Sequence, residues 1–170
     1  GEGLLKERLG KNIKVKTFEY RDSFFLRGVK ISFHPAGHIL GSCQIRVEHA
    51  GEVWVASGDY KRELDPTCEP FEVVPCDVFI SEATFGSPRF QWEKNIDLGK
   101  QIFEWWDGNR QRGINSVLLA YSLGKAQRVL GLLNQYAKNP IYCHSAIDKL
   151  NAHYLKQGIL LAKTKCLSEV

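Results

Sequence analysis

The spacing of apolar residues changes character part-way along the chain, and that change restricts the available folds more than any other feature. Up to about residue 87, apolar and polar residues alternate in short segments. VKISFH (29–34), SCQIRVEH (42–49) and GEVWVASG (51–58) carry β-branched and aromatic residues at period two, and KNIKVKTF (11–18) does so more weakly. The segment Glu48-His49-Ala50-Gly51-Glu52 joins the last two strands and is short and glycine-bearing, which predicts an antiparallel hairpin. After a loop holding Pro66, Pro70 and Pro75 comes CDVFISEATFG (76–86), whose apolar run Val78 to Ile80 predicts a buried strand ending at Glu82.

From about residue 88 the period lengthens. Ile96, Leu98, Ile102, Phe103 and Trp106 fall at helical spacing within 95–107. INSVLLAYS (114–122) reads as a continuous apolar strand, GKAQRVLGLLNQYAK (124–138) as an amphipathic helix, and NPIYCH (139–144) as a strand. AIDKLNAHYLKQ (146–157) is then a helix that Gly158 caps. Strand and helix alternating through short joins is the pattern of parallel βαβ units. The expected fold class is α/β, with an antiparallel β-rich domain over 1–87 and a Rossmann-like domain over 88–170.

No internal repeat is visible. There is no run of about 18 apolar residues, and GEGLLKERLGK lacks the apolar core of a signal peptide, so no membrane partner is expected. Five cysteines are scattered without a CxxC pair, which indicates neither a disulfide framework nor a structural zinc knot and points to a reducing cytoplasm. The net charge of +4 is compatible with an anionic partner and too small to argue for one.

Candidate chemistry gathers at one end of the first half. Pro35, Gly37 and Gly41 forbid a continuous helix through FHPAGHILGSCQ (33–44), so His34 and His38 are not brought together by helical spacing. Because 29–34, 42–49 and 51–58 form a meander, the connection bearing His38 shares a sheet edge with the end of the third strand, where SGDYK places Asp59 and Lys61. A strand at 77–82 parallel to 51–58 delivers Glu82 to the same edge. One imidazole and two carboxylates on a rigid rim suit metal binding or acid–base work. The plainer reading keeps its place: His38 as a turn residue, the Asp of SGD as a turn signal, Glu82 as a cap. In the second half, Ser122 and Gly124 lead into a helix whose first turns carry Lys125 and Arg128, a competent anion cradle without P-loop spacing, or simply a capped helix with a basic face.

Taken together, FHPAGHILGS, SGDYK and SEATFG resemble the metallo-β-lactamase superfamily, specifically its β-CASP nuclease branch. GEVWVASGDYKRELDPTCEPFEVVPCDVFISEATFG and YSLGKAQRVL resemble the bacterial DNA-ligase-associated exonucleases, also described as mRNA 3′-end processing factor-like proteins. The resemblance implies part of an αββα sandwich over 1–87 and part of a β-CASP segment over 88–170. It implies that His38 and Asp59 ligate zinc, two ions per complete site, with Asp59 the bridging carboxylate. Glu82 would match the acidic residue that helps protonate the leaving oxygen, with Asp59 and Glu82 as catalytic groups. From their charge and the helix-start chemistry, not from the resemblance, Lys61, Ser122, Lys125 and Arg128 are the candidate substrate contacts. The implied partner is nucleic acid, DNA or RNA, with a DNA ligase or helicase as a possible protein partner.

The family's HxHxDH signature is absent, as are its two later histidine motifs, and the chain holds no methionine. The expectation is an internal fragment of a protein about twice as long, binding zinc poorly and inactive alone. The leading reading is a zinc-dependent nuclease, in family terms an exonuclease, that hydrolyses phosphodiesters through a two-metal-activated hydroxide. The alternatives are a non-catalytic nucleic-acid-binding or scaffold protein, and a metallo-hydrolase of a small ester or thioester.

Overall fold

The computed structural model describes residues 1–93 and 96–167. The chain divides into two compact units, Gly1–Gln91 and Trp92–Val170.

The first unit opens with helix α1 (Glu2–Leu9) and continues as five strands: β1 (Ser23–Leu26), β2 (Val29–Pro35), β3 (Cys43–His49), β4 (Glu52–Ser57) and β5 (Val78–Ile80). They form one sheet in the order β1-β2-β3-β4-β5. The first four run antiparallel, and β5 joins β4 in parallel, with Trp54 beside Val78 and Ala56 beside Ile80. Two hairpins turn on two residues each. His49 pairs with Glu52 across Ala50-Gly51, and Leu26 with Val29 across Arg27-Gly28, with all four turn residues at positive φ. That geometry matches the right-handed twist of the flanking strands. On one sheet face Ser32, Gln44, Val55 and Ser57 are buried, and the Gln44 amide donates to the carbonyls of Pro35 (2.9 Å) and Glu72 (2.7 Å).

Two expectations for this unit are corrected. Residues 11–18 are not a strand. The edge of β2 that they would need is taken by β1, which reaches it through a two-residue turn and so closes a far shorter loop. Phe18 instead stacks on Phe24 at 4.1 Å between ring centroids. The strand expected to end at Glu82 stops at Ile80, and it is an exposed edge rather than a buried strand, with Phe79 and Ile80 about half exposed.

The second unit contains α2 (Leu98–Gln111), α3 (Lys125–Leu133), β6 (Ile141–Cys143), α4 (Ser145–Lys156) and β7 (Thr164–Cys166). Strands β6 and β7 pair in parallel around α4, so the βαβ unit lies here. Leu130, Leu133, Leu150, Tyr154, Leu161 and Ala162 form its core. Gly99 of α2 passes so close to α3 that a Cβ would lie 2.6 Å from the Leu132 carbonyl oxygen. Helix α4 ends in a Schellman motif: Gly158 sits at φ +77°, its N–H donates to Leu155, and the Ile159 N–H reaches back to Tyr154.

The strand expected at 114–122 is corrected too. Among the described residues it enters no ladder, and Val117 and Leu119 are 78% and 92% exposed. An apolar run signals a willingness to be buried but not a neighbouring strand, and β6 takes β7 as its partner. The helix expected over 124–138 ends at Leu133. With a mixed five-stranded sheet, a parallel pair and four helices among the described residues, the chain is of the α/β class.

Candidate active site

The 36–42 connection between β2 and β3 is held from several sides. Ala36 donates to the Ser42 carbonyl (3.2 Å), and the Ser42 hydroxyl accepts from the amides of both His38 and Ile39 at 3.2 Å. The Tyr20 hydroxyl donates to the Ser42 carbonyl at 3.0 Å, and burial pushes that phenol up from 10.0 to about 12. Gly37 is buried at φ +69°. A Cβ there would run into the Lys61 carbonyl oxygen and come within 2.9 Å of the Phe71 amide nitrogen, so only glycine lets the two neighbouring chain segments approach.

His38 leaves this loop toward the end of β4. Its Nε2 lies 3.5 Å from Oδ2 of Asp59, two residues past Ser57, and both side chains are accessible to solvent. Glu82 comes two residues past Ile80, on the strand parallel to β4. Its carboxyl is held below the usual range chiefly by hydrogen bonding from Thr84, whose amide donates to Oε2 at 2.6 Å, with a further contribution from the charge of His38. The imidazole and the two carboxylates therefore share one rim. Glu82 is an ionised acceptor at neutral pH, and it can orient or receive a proton but not supply one of its own.

Lys61 has a different place from the one its charge suggests. Its ammonium pairs with Asp65, and only 16% of the Lys61 side chain and 3% of the Asp65 side chain are exposed. His34 is engaged by other partners than the rim residues. Its Nδ1 lies 2.9 Å from Glu72 and its Nε2 3.0 Å from Ser32, and Glu72 also pairs with Arg21 at 2.8 Å. Sequence reasoning missed the partners Asp65 and Glu72. Asp65 lies only four residues from Lys61 inside the 58–77 crossover, a spacing that says nothing until the local turn is known, whereas Glu72 is brought to His34 from 38 residues away.

In the second unit, Ser122, Lys125 and Arg128 lie at the start of α3, but this helix end is largely satisfied by its own chain. Gly124 donates to the Gln127 side chain (2.7 Å) and Ala126 to the Tyr121 carbonyl (3.1 Å), while Gln127 donates in turn to the Ser122 carbonyl and to Asn151. The Lys125 ammonium lies 4.7 Å from the centre of the Tyr121 ring.

Known proteins bear on this arrangement. The chain is 30% identical over 125 residues to the endoribonuclease YSH1 of Saccharomyces cerevisiae, covering 72% of this chain and 16% of that protein. It is 30% identical over 161 residues to endoribonuclease YSH1 of Yarrowia lipolytica, 91% of this chain and 18% of that protein. The endoribonuclease ysh1 of Schizosaccharomyces pombe matches at 29% over 153 residues, 85% of this chain and 20% of that protein. The chain belongs to the metallo-β-lactamase β-CASP family. No protein-family model matches it. The chain spans about a sixth of the length of the curated relatives it matches.

The β-CASP assignment raises the question of a metal. His38 and Asp59 offer a nitrogen and an oxygen of the kinds zinc takes. Among the described residues, no group of three or more His, Cys, Asp or Glu is placed to hold a metal ion. The pair fits as part of a donor set and does not by itself make a whole one.

Proposed function

We propose that this chain supplies part of the active site of a zinc-dependent endonuclease acting on RNA, with the first unit belonging to an αββα sandwich and the second to a β-CASP segment. The observation that carries the reading is the placement of the His38 imidazole 3.5 Å from the Asp59 carboxylate, with Glu82 arriving two residues past the end of the parallel strand. The names of the relatives favour RNA over DNA and internal cleavage over attack from an end. A DNA ligase or helicase partner rests on the resemblance alone.

His38 and Asp59 would contribute donors to the metal centre, and further ligands would have to complete it. Bound zinc would supply Lewis acidity toward the scissile phosphate and a water acidic enough to ionise near neutral pH. The chain's own part is to keep two donors aligned on loops fixed by backbone hydrogen bonds, so that little reorganisation is needed on binding. Glu82, kept ionised by Thr84, would accept a hydrogen bond from a proton-carrying group and orient it toward the leaving oxygen. Lys125 and Arg128 are the basic groups we assign to backbone phosphates, with affinity that falls as salt rises.

The test is RNA cleavage by the full-length protein with added zinc, comparing wild type with Asp59→Ala. Loss of activity by about a hundredfold or more is expected for removal of a metal ligand. Equal rates in the two proteins would sink the assignment.

A further inference from the structure

The Asp59 loop and the His38 loop are not covalent neighbours, and something must set the distance between them. The Lys61 amide donates to the Ala36 carbonyl at 3.0 Å, joining the two loops directly. The Lys61 carbonyl lies against Gly37, at the spot where any side chain would collide. Between Asp59 and Lys61, the Tyr60 ring packs against Phe71 (5.2 Å) and Phe79 (6.0 Å). The far end of the same residue is anchored as well. The Lys61 ammonium pairs with Oδ2 of Asp65, whose Oδ1 accepts from the amide (2.9 Å) and hydroxyl (2.6 Å) of the buried Thr67. A carboxylate so fully engaged cannot follow a mobile lysine, so it restrains the lysine instead.

We propose that Lys61 and Asp65 form a latch that holds the Asp59 loop against the His38 loop, which makes Lys61 a positioning residue and not a substrate contact. The functional half of this inference rests on the nuclease reading; the structural half does not. A lysine free to meet phosphate should stand in solvent, whereas this one is mostly enclosed and already paired with a carboxylate. Breaking the pair removes a counter-charge from the buried carboxylate and releases the lysine it restrains, so the loss is felt first by the backbone segment that carries the lysine.

Amide hydrogen exchange on the chain separates the possibilities. Lys61→Met is expected to speed exchange of the residue 61 amide by about tenfold or more, while the β3–β4 ladder amides keep their protection and Lys61→Arg restores the wild-type rate. Should Lys61→Met fail to fold, Asp65→Asn, which retains an acceptor for Thr67, is read at the same amide. An unchanged rate at residue 61, or a uniform rise across the sheet, would overturn the latch. In the full-length enzyme, Lys61→Met is expected to lower kcat about tenfold at unchanged KM for RNA, again with rescue by arginine. A raised KM at unchanged kcat would return Lys61 to substrate binding and overturn the positioning role. If the wild-type protein cleaves no RNA, the nuclease reading fails, and the exchange experiment still decides whether the latch exists.

Discussion

At Gly37 two constraints fall on one residue. The positive φ of +69° disfavours any side chain, and the Lys61 and Phe71 backbones leave no room for one. Gly28 has the first constraint without the second, at φ +83° with open space around it. Gly28→Ala is therefore expected to cost about 1 kcal/mol, and Gly37→Ala about 2 kcal/mol or more, as measured by thermal or denaturant unfolding. Equal costs would show that the close approach of the three segments has no energetic weight. Tyr20 gives a second check on the same loop. Its phenol, raised from 10.0 to about 12 mainly by burial, holds its proton more tightly in the folded than in the unfolded chain. The stability this provides is complete below pH 10 and is lost as pH rises through about 12. The free energy of unfolding measured across that window should fall more steeply for the wild type than for Tyr20→Phe. Neither residue advertises itself: Gly37 can be read from PAGH as a turn, but the crowding that requires it depends on residues far along the chain.

The elements of the sheet differ in how plainly they are written. The β3–β4 hairpin is legible because period-two segments flank a glycine-bearing turn, and the structure uses Ala50-Gly51 with both residues at positive φ. Alanine is a poor choice for the first of these positions, at φ +51°. Ala50→Asn is expected to stabilise the first unit by up to about 1 kcal/mol, read as a higher thermal midpoint with unchanged far-ultraviolet circular dichroism. Strand β1 went unread because SFFL is four residues with no alternation, and its pairing comes from the turn at Arg27-Gly28. The segment 114–122 was misread for the converse reason: Val117 to Leu119 have the composition of a strand, but composition cannot provide the ladder partner.

Across the whole molecule, the convergence of His38, Asp59 and Glu82 was legible because it follows from strand order alone: a meander returns to its starting edge, and a parallel fifth strand ends there too. What strand order could not reveal was the ion pairing around them. Lys61 pairs with Asp65 within one turn of the 58–77 crossover, and His34 meets Glu72 only because that crossover returns to β2, a path that no periodicity describes.

That crossover also puts the assembly of the rim on a clock. Strands β1 to β4 meet through short turns, so their contacts close small loops and form early. Strand β5 reaches β4 only after residues 58–77 have been laid down as a much longer loop, whose closure entropy must be overcome before its contacts give any return. In refolding kinetics, Ile80→Ala should speed unfolding and leave the folding rate nearly unchanged, whereas Val47→Ala, in the middle of the meander, should slow folding. A chain caught part-way through refolding would then hold a nearly finished meander with Asp59 and Glu82 still adrift, native by most optical probes and chemically blank.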